Sequence, residues 1–179
     1  MIKTDIALES FEAQNKTEIN GVRVTKNGEI STVEVLNEEG ADSIGKPVGK
    51  YITCEIPTLL NDTDFFDGRI EKTSEIISNL LPPNIKGTIL VAGIGNLMIT
   101  ADALGPRVNN FVLATRHITS EMKKILKLEA LNSVSTITTG VLGQTGIESA
   151  EIIKGVSSVI KPDCVIVVDA LASSSVQRL

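Results

Sequence analysis

The sequence predicts an α/β protein with a mostly parallel, doubly wound sheet flanked by helices and a small antiparallel β meander near the N-terminus. From residue 88 onward, short apolar runs alternate with segments of helical spacing, which is typical of strands joined by crossover helices. Hydrophobic residues make up 42% of the 179 residues and aromatic residues only 3%, so an aliphatic core is expected. Continuous aliphatic runs are typical of buried parallel strands.

The N-terminal part is predicted to hold a polar, weakly helical and mobile leader over residues 1–20, followed by a single α/β domain over residues 21–179. Three β-rich runs open that domain and predict antiparallel strands, and Asn27-Gly28 is a hairpin signal between the first two. The charged, glycine-rich stretch before the third strand is predicted to be a loop. The predicted strands are Gly21–Val24, Ser31–Leu36 and Gly49–Ile56.

The remaining elements follow from apolar spacing and from turn residues. A helix is predicted over Thr63–Leu80 and is ended by Pro82-Pro83. Alternating strands and helices come next. The predicted strands are Thr88–Ala92, Phe111–Ala114, Ser133–Thr139 and Cys164–Val168. The predicted helices lie near Ala101–Asn109, Ser120–Leu128 and Ile147–Ile160.

Composition restricts the functions to be considered. The net charge is −5 and lysine and arginine form no cluster, so a direct nucleic-acid surface is not expected. No apolar run approaches the length of a membrane span, and the N-terminus has no signal core, so we expect a cytoplasmic protein. Cys54 and Cys164 are predicted to be buried, reduced thiols. No cofactor and no metal are expected.

The tripeptide Asp-Ala-Leu occurs twice, each time just beyond a predicted strand. Asp102 follows its strand through a glycine-rich loop, whereas Asp169 directly follows Val168. Ligands collect beyond the carboxyl ends of strands in open α/β sheets, so these side chains could form a catalytic pair. One carboxylate would draw a proton from water while the other protonates the leaving group. Each could instead simply cap a helix.

Other candidate sites are weaker. Gly93-Ile94-Gly95-Asn96 begins like a dinucleotide-binding loop, but Met98 stands at the position of the third glycine. The single histidine, His117, is predicted to be a surface residue. The glycine-rich loop over residues 140–146 could bind an anion or a peptide backbone, or it could be a tight turn.

Five strings resemble the spore germination protease family, whose members degrade small acid-soluble spore proteins. The strings are NEEGADSIGKPVGKYITCE, VAGIGNLMITADALGP, FVLATRH, GVLGQTGIESAEIIKGV and KPDCVIVVDALA. The resemblance implies an endopeptidase of an atypical aspartic type, with Asp102 and Asp169 as its two essential aspartates. It also implies a fold like that of hydrogenase-maturation proteases, and a self-processing, homotetrameric zymogen in the spore core that cleaves spore proteins after an acidic residue during germination.

The segment Thr4-Asp5-Ile6-Ala7-Leu8-Glu9 resembles the processing sequence of that family and predicts self-cleavage between Asp5 and Ile6. Ala101 and Ser174 depart from the family pattern, which usually has proline and arginine there. The family continues beyond the point that matches Leu179, so we expect an N-terminal fragment without full activity. A hydrogenase-maturation-type peptidase and a non-catalytic nucleotide-binding module remain alternatives.

Overall fold

The computed structural model describes residues 4–56, 68–83 and 85–174. The chain divides into two compact units. The first contains the residues up to Lys72 together with those from Leu171 onward, and the second contains Thr73–Ala170. Within the described ranges, no helix is long and apolar enough to cross a membrane.

The first unit is built on a three-stranded antiparallel sheet in the order β1-β2-β3, which confirms the predicted meander. The predicted hairpin turn is also confirmed, because Asn27 pairs with Ile30 and Gly28 has a positive φ of 58°. Its elements are α1 (Ala7–Glu12), β1 (Val22–Asn27), β2 (Ile30–Val35), α2 (Glu38–Ile44) and β3 (Gly49–Cys54).

The core of this unit joins residues of the sheet and of both helices. Val33 and Val35 of β2 are buried together with Ile44 of α2. Helix α1 lies in the segment that the sequence predicts as leader, and its Ala7 and Leu8 are buried in the same core. Residues 7 and 8 therefore pack as part of the unit.

The predicted loop between the second and third strands is wrong, because the structure has helix α2 there. The sequence signals for this helix are the residues that cap its two ends. The Asn37 side chain accepts a hydrogen bond from Gly40 N at 2.9 Å, and Gly45 closes the helix in the left-handed conformation. Both are standard helix caps.

The second unit contains a three-stranded parallel sheet with β4 in the centre, in the order β5-β4-β6. Its strands are β4 (Thr88–Ile94), β5 (Ser133–Gly140) and β6 (Cys164–Val168). The helices are α4 (Leu104–Asn109), α5 (Ser120–Ile125), α6 (Leu142–Thr145) and α7 (Ser149–Ile160), and α3 (Arg69–Leu80) begins in the first unit. The part of the predicted helix from Thr63 through residue 67 lies outside the described residues. Leu90 and Ala92 of β4 are fully buried.

The predicted strand Phe111–Ala114 is wrong, because the structure has a turn and irregular backbone there. Phe111 is 90% exposed, so burial of its side chain does not stabilise a strand at this position. The Thr115 hydroxyl accepts the hydrogen bond from Val134 N at 2.9 Å, which removes a donor that a neighbouring strand would need. This segment therefore contacts β5 beside Val134 and does not pair with it through a ladder of backbone hydrogen bonds.

Candidate active site

Asp102 is positioned by the loop that follows β4. Asn96 N donates hydrogen bonds to Asp102 O at 3.0 Å and to Asp102 Oδ2 at 2.9 Å, so the loop closes on the aspartate. Gly95 makes this closure possible. Its φ is 131°, and a Cβ there would lie 2.0 Å from Asp102 O. A side chain at residue 95 would therefore disrupt the placement of Asp102.

Asp169 follows β6 directly and is half-buried, as Asp102 is. Its Oδ1 accepts a hydrogen bond from Ala170 N at 2.8 Å. Each aspartate is thus held through one carboxylate oxygen by a backbone amide. Within the described residues, Oδ1 of Asp102 and Oδ2 of Asp169 accept no hydrogen bond from the protein.

Gly105 connects the two strand ends at which the aspartates lie. Strands β4 and β6 pair in parallel, with Gly93 opposite Val168. A Cβ on Gly105 would lie 2.3 Å from Ile94 O and 2.4 Å from Val168 O. The start of α4 therefore lies against the last residues of both strands. The structure brings Asp102 and Asp169 to the same carboxyl edge of one sheet.

Gly105 and Asn109 are site-supporting residues that the sequence reasoning missed. Asn109 of α4 is buried, and its Nδ2 donates to Ile137 O of β5 at 2.6 Å. These two residues join α4 to all three strands of the sheet. A glycine shortly after the first Asp-Ala-Leu was visible in the sequence, but no local signal showed which backbone it approaches.

In the loop that resembles a dinucleotide-binding loop, two backbone amides donate hydrogen bonds to side chains of this chain. Asn96 N binds Asp102, and Met98 N donates to Asn96 Oδ1 at 2.9 Å. A phosphate cradle needs such amides to be available, so this geometry does not favour the nucleotide-binding alternative. His117 is exposed, as the sequence predicts.

The second glycine-rich loop forms the short helix α6 and ends at Gly146, which has a φ of 69°. A carboxylate oxygen of Glu151 accepts a hydrogen bond from Glu148 N at the start of α7. The Glu151 carboxylate thus already supplies negative charge at the N-terminal end of α7. Among the residues that the structure describes, no three His, Cys, Asp or Glu side chains are grouped as metal ligands would be.

Fold and site together define an α/β protein with a candidate two-carboxylate site at the carboxyl edge of a parallel sheet. A family model described as germination protease matches residues 3–179, and the chain belongs to that family.

Individual relatives agree with this assignment. The germination protease of Caldanaerobacter subterraneus is 45% identical over 99% of this chain and 56% of its own length. That of Clostridium tetani is 42% identical, over 99% of this chain and 57% of its own length. That of Priestia megaterium is 39% identical, over 98% of this chain and 49% of its own length. The chain spans about half the length of the curated relatives it matches.

Proposed function

We propose that this chain is part of an endopeptidase that initiates the degradation of small acid-soluble spore proteins during germination, and that it hydrolyses a peptide bond after an acidic residue. Membership of the germination protease family supports the activity. The observation that carries the assignment of the site is the shared sheet edge. Gly105 packs against the ends of the strands that lead to Asp102 and Asp169.

The proposed chemistry uses the two aspartates as an acid/base pair. In each carboxylate, one oxygen is anchored by a backbone amide and the other is available for proton transfer. One aspartate takes a proton from water, which attacks the carbonyl carbon of the substrate peptide. The other protonates the leaving amine, and a new carboxylate and a free amine result.

The direct test is Asp102→Asn and Asp169→Asn, made in this chain and at the aligned positions of the longer Caldanaerobacter relative. Each substitution keeps the side-chain shape and removes the acid/base group, so we expect cleavage of a Glu–Ile or Asp–Ile peptide to fall by at least about a hundredfold. Circular dichroism should show an unchanged fold. Cleavage that survives both substitutions would rule out the aspartic mechanism. If this chain is inactive while the longer relative is active, then activity requires the part of the relative that this chain does not match.

The proposal extends to regulation and assembly. We infer a homotetrameric zymogen in the spore-core cytoplasm, related in fold to hydrogenase-maturation proteases, that processes itself between Asp5 and Ile6. The likeness of residues 4–9 to an acidic–aliphatic cleavage sequence supports the processing step. Mass spectrometry of the incubated protein should detect a new N-terminus at Ile6. A new terminus elsewhere would contradict this assignment.

A further inference from the structure

Glu9 of α1 is a buried charged residue, with only 5% of its surface exposed. Buried glutamates are rare unless their charge is compensated by hydrogen bonds or ion pairs. The partners of Glu9 lie near the other end of the chain, within the same unit. Its Oε1 accepts from Ser173 Oγ at 2.6 Å, and its Oε2 accepts from Ser174 N at 2.8 Å and from Ser174 Oγ at 2.6 Å.

Asp5 binds the same distant segment. Asp5 N donates to Ala172 O at 3.0 Å, and Ala172 N donates to Asp5 Oδ2 at 2.9 Å. Lys46 Nζ also donates to Thr4 O at 2.9 Å, which holds the preceding residue. The segment Thr4–Glu9 is therefore attached to Ala172–Ser174 at two points, Asp5 and Glu9.

The peptide bond between Asp5 and Ile6 lies between these two points. The amide nitrogen of Ile6 donates to Thr4 Oγ1 at 3.1 Å, and the Thr4 hydroxyl donates in turn to Glu9 Oε2. Ile6 is also the N-cap of α1. A protease reaches such a bond through local opening, so the rate of cutting follows the population of the opened form.

We propose that Glu9 anchors a clasp, formed by Thr4, Asp5 and Glu9 on one side and Ala172–Ser174 on the other, that keeps the Asp5–Ile6 bond closed to cleavage until the clasp opens. This inference rests on the proposed self-processing at that bond. It makes the segment just beyond Asp169 in the sequence the partner of the leader.

Electrostatics favour the closed clasp. Burial alone would raise the pKa of the Glu9 carboxyl, but the hydrogen bonds from Ser173, Ser174 and Thr4 outweigh burial and lower the pKa well below its ordinary value. Glu9 is therefore an anion at neutral pH, with both oxygens accepting hydrogen bonds. Two other charged groups take part in the hydrogen bonds of the same segments: Asp5 accepts from Ala172 N, and Lys46 donates to Thr4 O.

The test uses Glu9→Gln in this chain, with an added endoprotease that cuts after acidic residues. This substitution would place an amide donor where several donors now converge on the carboxylate, so the clasp should open more often. We expect the initial rate of cutting at Asp5–Ile6, followed by mass spectrometry, to rise at least about tenfold. The matched control is Glu38→Gln, at an exposed glutamate in the first turn of α2, which should be cut at the wild-type rate.

A second variant and a second measurement separate clasp opening from misfolding. Ser174→Ala keeps the Glu9 charge and removes one hydroxyl donor, so a few-fold faster cut is expected. Hydrogen exchange at the amides of Ala172 and Ser174 should accelerate in both variants. Wild-type cutting and exchange rates in folded Ser174→Ala and Glu9→Gln proteins would overturn the proposal. Neither measurement uses the chain's own activity, so failure of the aspartate assignment would leave this result interpretable.

Discussion

At the residue scale, the candidate site depends on glycines that allow backbone segments to approach each other. Gly105 is the clearest case, because a side chain there would meet the carbonyl oxygens of Ile94 and Val168 at once. Neither oxygen belongs to a flexible side chain that could move away. The placement of the two aspartates thus depends on a glycine, which has no side chain that could take part in catalysis.

We expect Gly105→Ala to lower the free energy of unfolding by about 1–3 kcal/mol, since the backbone must shift to admit the methyl group. Peptide cleavage should fall more than this loss of stability explains, because the strand ends that position the aspartates move apart. The matched control is Gly155→Ala in α7, where a Cβ would meet nothing within 4 Å. That change should raise stability by about 0.5–1 kcal/mol. Equal urea denaturation midpoints for both variants would contradict the packing argument.

Glu9 gives a pH-dependent prediction. Its folded-state pKa is lowered, so its stabilising effect is fully present above the ordinary glutamate pKa of about 4.5 and is lost progressively as the pH falls from there toward the much lower folded-state pKa. The difference in free energy of unfolding between wild type and Glu9→Gln should be on the order of 2 kcal/mol at pH 7 and should shrink progressively as the pH falls from 4 to 2. Urea denaturation between pH 7 and pH 2 measures it. A constant difference across this range would show that Glu9 acts without its charge.

At the element scale, the sequence predicted most strands because their signals are continuous and local. The observed β6 has the predicted bounds, Cys164–Val168, since a run of aliphatic residues follows Pro162-Asp163 and ends at Asp169. The run Phe111–Ala114 has a similar apolar sequence but is largely exposed. The Val134 amide, which a neighbouring strand would need as a donor, donates to the Thr115 hydroxyl instead. Whether an apolar run is paired depends on distant backbone, which the run itself does not reveal.

Helix α2 was missed for the opposite reason: its caps are strong but its apolar spacing is weak. Only Gly40 and Ile44 of its seven residues are buried. Gly40 lies against Gly21, and a Cβ there would meet Gly21 O at 2.3 Å. The composition of the helix therefore resembles that of a loop, and its position is fixed by its two caps, the burial of Ile44 and one close backbone approach.

We expect Asn37→Ala to destabilise the first unit by about 1 kcal/mol, because it removes the side-chain acceptor for Gly40 N at the start of α2. The loss should be greatest in hydrogen-exchange protection at the first turn of this helix. Asn79→Ala, an exposed position within α3, is the control and should leave stability unchanged or slightly higher. Unchanged exchange in α2 of the Asn37 variant would mean that burial of Ile44 alone holds the helix.

At the scale of the whole molecule, the repeated Asp-Ala-Leu and the alternation of elements were enough to predict that both aspartates lie at one sheet edge. The contacts of Gly105 with Val168 and of Asn109 with Ile137 could not be predicted, because they join segments far apart in sequence. Glu9 shows this most clearly: in a polar leader it looks like a solvated charge, and its partners are Ser173 and Ser174. Only the folded first unit brings these residues together.

The clasp lies in one unit and the two aspartates in the other, so their effects should be separable. We expect Asp102→Asn/Asp169→Asn to leave cutting at Asp5–Ile6 by an added full-length Caldanaerobacter relative unchanged, since the hydrogen bonds that define the clasp lie within the first unit. Adding Glu9→Gln to that double variant should accelerate the same cut about tenfold, because only the clasp is altered. Mass spectrometry of the released N-terminal peptide measures both rates. If the aspartate substitutions by themselves accelerated the cut, the leader would depend on the second unit, and a clasp confined to the first unit would be the wrong description.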